Sequence, residues 1–384
     1  MVSFRAFVKT LAANSKALCS PGGGGQRLTL VLGNESADLD SLVCSLTLAY
    51  ALSQTPDVVA IPVMNVHRQD MKLRPESDFI LHHALTTCET TLDALTFIDD
   101  IDLNQLADSQ TAVWLVDHNA PAHRQAILEP LVVGIIDHHV DEGKCLLAER
   151  QIQAVGSCAT LVAQRFPDKI DPVVARLLLA AILVDTSNLN PAACRATPAD
   201  IECAQRLSAL IDWTPTQGFD VNGPGEFYRT LDSLKGAVSH LSSFDLLRKD
   251  YKQWHVTDLQ GKKWAVGISS FSLPLAKWLK RDGRKDIEQA VKHWMQTQGL
   301  DLVLVMTHGK TKVNGVKTYG RQLVVASENR GVVDKLAECE ILGLVPFDGG
   351  CEPDGVYLFM QCRTESSRKQ VFPAIKGVIE GFCG

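Results

Sequence analysis

Between Leu30 and Tyr50 the chain reads LVLGNESADLDSLVCSLTLAY. Asn34, Glu35, Asp38 and Asp40 crowd the point where an apolar strand should turn into an apolar helix. Related chemistry returns three times. Val113–Val116 runs into Asp117, His118 and Asn119. Leu131–Ile136 runs into Asp137, His138 and His139, with Asp141 close behind. Pro172–Val184 ends at Asp185, in the text DTSNL. A lone Asp after a strand is more often a helix N-cap than a ligand, and either Asp40 or Ser36 could cap the helix that follows. Capping accounts for one Asp per helix, not for Asp38 and Asp40 together. Carboxylates gathered on one rim repel and raise one another's pKa unless cations intervene. Carboxylates mixed with imidazoles suit Mn²⁺, Mg²⁺, Co²⁺ or Zn²⁺, so the expected chemistry is that of bound divalent metal.

The elements that must hold these residues follow from the apolar pattern. β-like runs fall at Leu28–Leu32, Val58–Val63, Val113–Val116 and Leu131–Ile136. Helical patterns fall at Ser41–Leu52, Asp78–Leu85, Ala159–Arg165 and Pro172–Val184. This alternation predicts an α/β domain with a mostly parallel sheet, and strands apolar throughout predict helices on both faces. The carboxyl ends of parallel strands share one edge, where ligands bind, so the acidic segments are expected on one rim. From Asp212 to Gly225 the text becomes DWTPTQGFDVNGPG, which reads as a linker. Strands then recur near Trp264–Ile268, Leu302–Met306, Gln322–Ala326 and Val356–Met360. The expected division is an N-terminal extension (1–26), a first domain (27–211), a linker (212–225) and a smaller α/β domain (226–384), with the active site in the cleft between domains.

A chain of 384 residues exceeds one small core, in keeping with two domains. Its net charge of −6 gives no global attraction for a polyanion, so phosphate must be met by local basic groups or metal ions. Eleven cysteines, with no CxxC pair, predict free thiols in a reducing, cytoplasmic setting, not a disulfide framework or zinc finger. Cys44 and Cys158 read as core residues. The longest apolar run, Leu177–Val184, is too short to span a bilayer. Before Glu35 there is no acid, and Phe4, Phe7, Val8 and Leu11 recur at helical spacing. We read a surface helix packed on the domain and tethered by Pro21–Gly25; an organelle transit peptide is the alternative. His82 and His83 receive no function. Arg68, Lys72 and Arg74 form a basic cluster that either touches a long substrate or is a solvated loop.

GNESADLDS (Gly33–Ser41), VDHN (Val116–Asn119), IDHH (Ile136–His139) and VDTSNL (Val184–Leu189) together resemble the four motifs of the DHH phosphoesterase superfamily. SSRKQVFP (Ser366–Pro373) and DYKQW (Asp250–Trp254) resemble the basic and lysine segments of its DHH-associated second domain. Family II pyrophosphatases typically carry His where this chain has Asn34, and prune relatives often carry Arg where it has His139. The pattern is therefore most similar to the eukaryotic exopolyphosphatases. The resemblance implies two adjacent metals: Asp38 and Asp117 on one with Asn34 beside it, and Asp40, His138 and Asp185 on the other, with Asp117 bridging. It places His139 against the phosphate. Lys252, Arg368 and Lys369 would bind the rest of the substrate. Mg²⁺ is the expected ion because an amide oxygen is harder than an imidazole nitrogen, with Mn²⁺ or Co²⁺ as alternatives. The implied activity is removal of the terminal phosphate of inorganic polyphosphate by an activated water, without a covalent intermediate or a nucleic-acid partner. Rival readings are a pyrophosphatase or nucleotide phosphodiesterase on the same scaffold, and a non-catalytic phosphate-binding protein.

Overall fold

The computed structural model describes residues 2–18, 27–107, 111–215, 219–313, 316–347 and 355–383. Pro21–Gly25, and residues 216–218 of the Pro- and Gly-rich stretch, lie outside them. The backbone divides into Met1–Lys235 and Gly236–Gly384.

In the first unit, β1 (Arg27–Leu32), β2 (Val58–Met64), β3 (Thr96–Phe97), β4 (Ala112–Val116), β5 (Val132–Asp137) and β6 (Glu149–Ile152) form one sheet in the order β3-β2-β1-β4-β5-β6. All its pairings are parallel. The order reverses between β1 and β4, so the chain leaves these neighbours in opposite directions and opens a crevice beyond their carboxyl ends. Side chains alternate between two buried faces. Leu30, Leu32, Val113 and Leu115 pack on one side, Val31, Val116 and Ile136 on the other. That double burial explains why β1, β2, β4 and β5 are apolar over most of their length.

The helices of this unit are α1 (Phe4–Leu18), α2 (Leu39–Leu52), α3 (Pro75–Thr87), α4 (Leu103–Ala107), α5 (Cys158–Arg165), α6 (Pro172–Asp185), α7 (Pro198–Ala209) and α8 (Pro224–Gly236). Phe4, Phe7, Val8 and Leu11 of α1 are fully buried in the main core, and Phe4 meets the Tyr50 ring edge-on at 5.3 Å. The apolar stripe read from the sequence is thus a packing face. Leu106 of α4 covers the opposite side of the sheet.

The second unit holds α9 (Ser243–Lys249), β7 (Tyr251–Thr257), β8 (Lys263–Phe271), α10 (Leu275–Asp282), α11 (Arg284–Gln298), β9 (Leu302–Val313), β10 (Val316–Ala326), α12 (Arg330–Ala337), β11 (Leu344–Pro346), β12 (Val356–Gln361) and α13 (Arg368–Glu380). Its sheet runs β11-β12-β10-β9-β8-β7, with β8 and β9 parallel and the other pairs antiparallel. Among the described residues no helix is long and apolar enough to cross a membrane, and the described cysteines are free thiols.

Candidate metal centre

The switch between β1 and β4 brings the first two acidic segments together. Gly33 leaves β1 directly under the first turn of α2; a Cβ there would lie 2.9 Å from the Ser41 carbonyl oxygen, so only glycine fits. Asn34 donates from its side-chain nitrogen to Asp117 Oδ2 at 2.6 Å, and its side-chain oxygen accepts from the backbone N–H and hydroxyl of Ser36. Asn34 therefore turns a nitrogen, not an oxygen, towards Asp117. The N-cap of α2 is Asp38, which accepts from Ser41 N–H at 3.1 Å. Neither Asp40 nor Ser36 has that role. Asp40 instead accepts the N–H groups of Cys158 and Ala159 at 2.6 and 2.9 Å, at the start of α5. A helix N-terminus stabilises a carboxylate there.

Asp117 follows β4 with φ +62°, in the left-handed region that a non-glycine residue occupies at a cost. His138 follows β5. Its Nδ1 meets the Val155 carbonyl at 3.0 Å, and since a carbonyl only accepts, Nδ1 carries the hydrogen. Nε2 then points at Asp117 Oδ1, 3.2 Å away, with Asp40 Oδ2 at 4.0 Å. A ring held at one nitrogen by a carbonyl, with the other facing carboxylates, is the arrangement of a metal-ligating histidine. Ligand atoms of Asp117, His138 and His139 all lie within 4.8 Å of one another. His139 Nδ1 donates to Asp137 Oδ1 at 2.8 Å, and Asp137 Oδ2 accepts from Asn119 at 2.5 Å. Burial opposes ionisation of Asp137, but the hydrogen bond and charge of His139, with the Asn119 bond, hold its carboxyl below the usual range.

The remaining carboxylates report mutual repulsion. Burial, then the charge of Asp117, pushes Asp40 up to about 6, although His138 and a hydrogen bond with Asp185 oppose the rise. Burial, then the charges of Asp40 and Asp38, raises Asp185 well above its ordinary value, against the pull of Lys235 and His138. A cluster that keeps its negative charge only with difficulty fits divalent cations.

The rim thus gathers Asn34, Asp38, Asp40, Asp117, His138, His139 and Asp185. It does not recruit Glu35, which lies 3.8 Å from Arg124, nor Asp141, which is exposed and bonded to Arg150. In the second unit, Arg368 opens α13 and clasps the Asp250 carbonyl and carboxylate at 3.0 and 2.8 Å, while Trp254 and Phe372 stack at 4.0 Å. The DYKQW and SSRKQVFP segments are neighbours there. Lys252 lies on β7, and Lys369 is exposed. The basic cluster after β2 divides: Lys72 is exposed, whereas Arg68 and Arg74 have partners in the fold. Arg74 is buried and donates to the Ser36 carbonyl; Arg68 pairs with Asp100 and covers the Phe97 ring. Sequence reasoning missed the orienting roles of Asp137, Asn119 and the start of α5. The text GSCATL, a small-residue helix start, was the available signal for the last.

Residues 29–200 match the DHH family, N-terminal domain, and residues 229–378 match the DHHA2 domain. The chain is 30% identical to the exopolyphosphatase PRUNE1 of Bos taurus, over 92% of this chain and 76% of that protein. Against the human protein of that name the identity is 29%, with the same coverage. It is 23% identical to a manganese-dependent inorganic pyrophosphatase of Methanocaldococcus jannaschii, over 91% of this chain and 99% of that one.

Proposed function

Because this chain belongs to the DHH family, with a DHHA2 domain as its second unit, we propose that it is a metal-dependent exopolyphosphatase that releases orthophosphate from the end of inorganic polyphosphate. The observation that carries the choice within the family is the commitment of Asn34 to Asp117 at 2.6 Å. A pyrophosphatase-type His at that position would offer a metal a nitrogen lone pair. Here an amide N–H holds the carboxylate.

Asp38, Asp40, Asp117, His138 and Asp185 are the residues we assign to the cations. When bound, divalent ions supply positive charge for phosphate oxygens and lower the pKa of a water. Asn34 fixes one oxygen of Asp117 and leaves the other towards His138. The Val155 carbonyl holds His138 in the tautomer whose Nε2 faces the acids. Asp137 holds the His139 ring by Nδ1, and we assign His139 to the phosphoryl oxygens, as proton or hydrogen-bond donor. Lys252, Arg368 and Lys369 are assigned to the charge of the remaining substrate, Arg368 as a planar fork and the lysines as point charges.

Phosphate release from tripolyphosphate, long polyphosphate, pyrophosphate and a cyclic nucleotide, each with Mg²⁺, Mn²⁺ and Co²⁺, tests the reading. Turnover of the two polyphosphates should exceed that of the other substrates. Pyrophosphate as the best substrate would return the chain to the pyrophosphatase branch.

A further inference from the structure

Strands β9 and β10 outrun their sheet. β9 pairs with β8 only from Leu302 to Thr307, and β10 pairs with β12 only from Arg321 to Ala326. Beyond those points, among the described residues, the two strands pair with each other alone, out to Val313 and Val316. The ribbon departs where Gly309, at φ +148°, stands opposite Gly320. Paired glycines remove side chains from both strands where the ribbon must bend.

From Leu302 to Ala326 there is no Asp or Glu, but there are Lys310, Lys312, Lys317 and Arg321. Register puts Lys310, Lys317 and Arg321 on one face. Lys310 stands opposite Tyr319, two residues along β10 from Lys317, and Arg321 stands opposite His308. Residues two apart along a strand share a face. Lys310, Lys317 and Tyr319 are exposed. Like charges on facing strands weaken a pair even as diagonal neighbours such as Lys310 and Lys317, and an isolated two-stranded ribbon is marginal in water. This ribbon therefore keeps a face that works against its own stability, and a row of anions laid along it would remove the repulsion. Its base leads to the basic segment of the same unit. Arg321 donates to the Thr364 carbonyl at 2.8 Å, and Gln361 donates to the Ser366 carbonyl at 2.9 Å, in the loop that runs into Arg368.

We propose that the cationic face of this ribbon is a docking track for the distal phosphates of a linear polyphosphate chain. The inference rests on the reading that polyphosphate is the substrate. Lysines act as point charges with little directional demand, which suits a uniform polymer able to bind in many registers.

The test uses the full chain and the double variant Lys310→Glu/Lys317→Glu. Lys263→Glu, an exposed change at the opposite end of β8, is the control. Titration of chelator-treated protein with long-chain polyphosphate should show affinity about tenfold weaker in the double variant, with a shallower salt dependence. KM for long chains should rise in step, KM for tripolyphosphate should stay within twofold, and the control should match wild type. The melting temperature should stay close to wild type, since both positions are exposed. Equal losses on long and short chains, or no loss on either, overturn the proposal. So does a single-stranded DNA oligonucleotide that binds wild type as tightly as polyphosphate and is lost in the same variant. If wild type releases no phosphate from any polyphosphate, the functional reading fails, and the chelated titration still decides whether the ribbon binds the polymer.

Discussion

Asp117 answers to several constraints at once: a left-handed backbone, the Asn34 amide on one oxygen, and the His138 ring facing the other. Asn tolerates the left-handed region well and nearly matches Asp in shape, so Asp117→Asn removes the charge while sparing the fold. Turnover should fall at least about a hundredfold, with the circular-dichroism spectrum and melting temperature close to wild type. Activity within tenfold of wild type would take Asp117 out of the centre. The same charges set a pH dependence. Asp40 is raised from 3.8 to about 6, so its favourable contribution is fully present below about pH 4 and is lost as pH rises through about 6. Metal-free protein should therefore lose stability between pH 5 and 7. The rise in melting temperature on adding Mg²⁺ should be larger at pH 7.5 than at pH 5.5, with protons released on binding. A Mg²⁺ effect that is constant across this range would show that the acids are not where the ion goes. Asn34→His is the third test at this scale. Imidazole favours Mn²⁺ over Mg²⁺, so the Mn²⁺/Mg²⁺ ratio of kcat/KM should rise. Loss of the Ser36 and Asp117 bonds alone would lower activity with every metal and leave the ratio unmoved.

At the level of elements, the sequence was legible wherever a local period or a turn carried the message. Apolar runs marked the strands β1, β2, β4 and β5, and the acid-rich strand ends marked the rim. What it hid are partnerships between distant segments. Asp40 meets the N–H of Cys158, 118 residues away, and no spacing within either segment records that bond. The capping expectation fell on the wrong residue: Asp38 caps α2 by a local bond from Ser41 N–H, and Asp40 accepts from the start of α5. Arg74 is the clearest case. A basic residue in HRQDMKLRPE reads as solvent-facing, yet it is 3% exposed, and Nε and Nη2 reach the Ser36 carbonyl at 3.1 and 2.5 Å. As the residue just before α3, it ties the start of that helix to the loop that carries Asn34 and Asp38. Arg74→Ala should cost about 2–3 kcal/mol, because a charged donor is lost and a buried carbonyl is left without it. Arg74→Lys should recover only part, since an ammonium cannot reproduce the planar fork. Chemical denaturation of the two variants measures both, and an Arg74→Ala protein as stable as wild type would show that the tie contributes nothing.

Over the whole molecule, charge is divided unevenly. Met1–Lys235 holds 17 basic and 28 acidic residues, and Gly236–Gly384 holds 21 basic and 16 acidic. The first unit is thus strongly anionic and carries the acid cluster, while the second is cationic. For a polyanionic substrate this splits the work. On the proposed reading the first unit would attract phosphate with cations bound, and the second with its own side chains. Arg368 fits this second role with a restriction, because Asp250 already holds its guanidinium. That pairing fixes the fork in place and cancels part of its charge. Arg368→Ala and Lys369→Ala should both raise KM for polyphosphate, with a smaller loss of kcat, since binding charge acts on bound substrate and transition state alike. Asp250→Asn should separate positioning from charge. If Asp250 mainly aims Arg368, KM rises as it does on losing the arginine. If Asp250 mainly neutralises it, KM falls. Steady-state kinetics on the three variants at two salt concentrations decide the matter, because a contribution from charge shrinks as salt rises and one from aim does not. Unchanged KM in both the Arg368 and Lys369 variants would remove SSRKQ from the substrate's path and leave it a helix start.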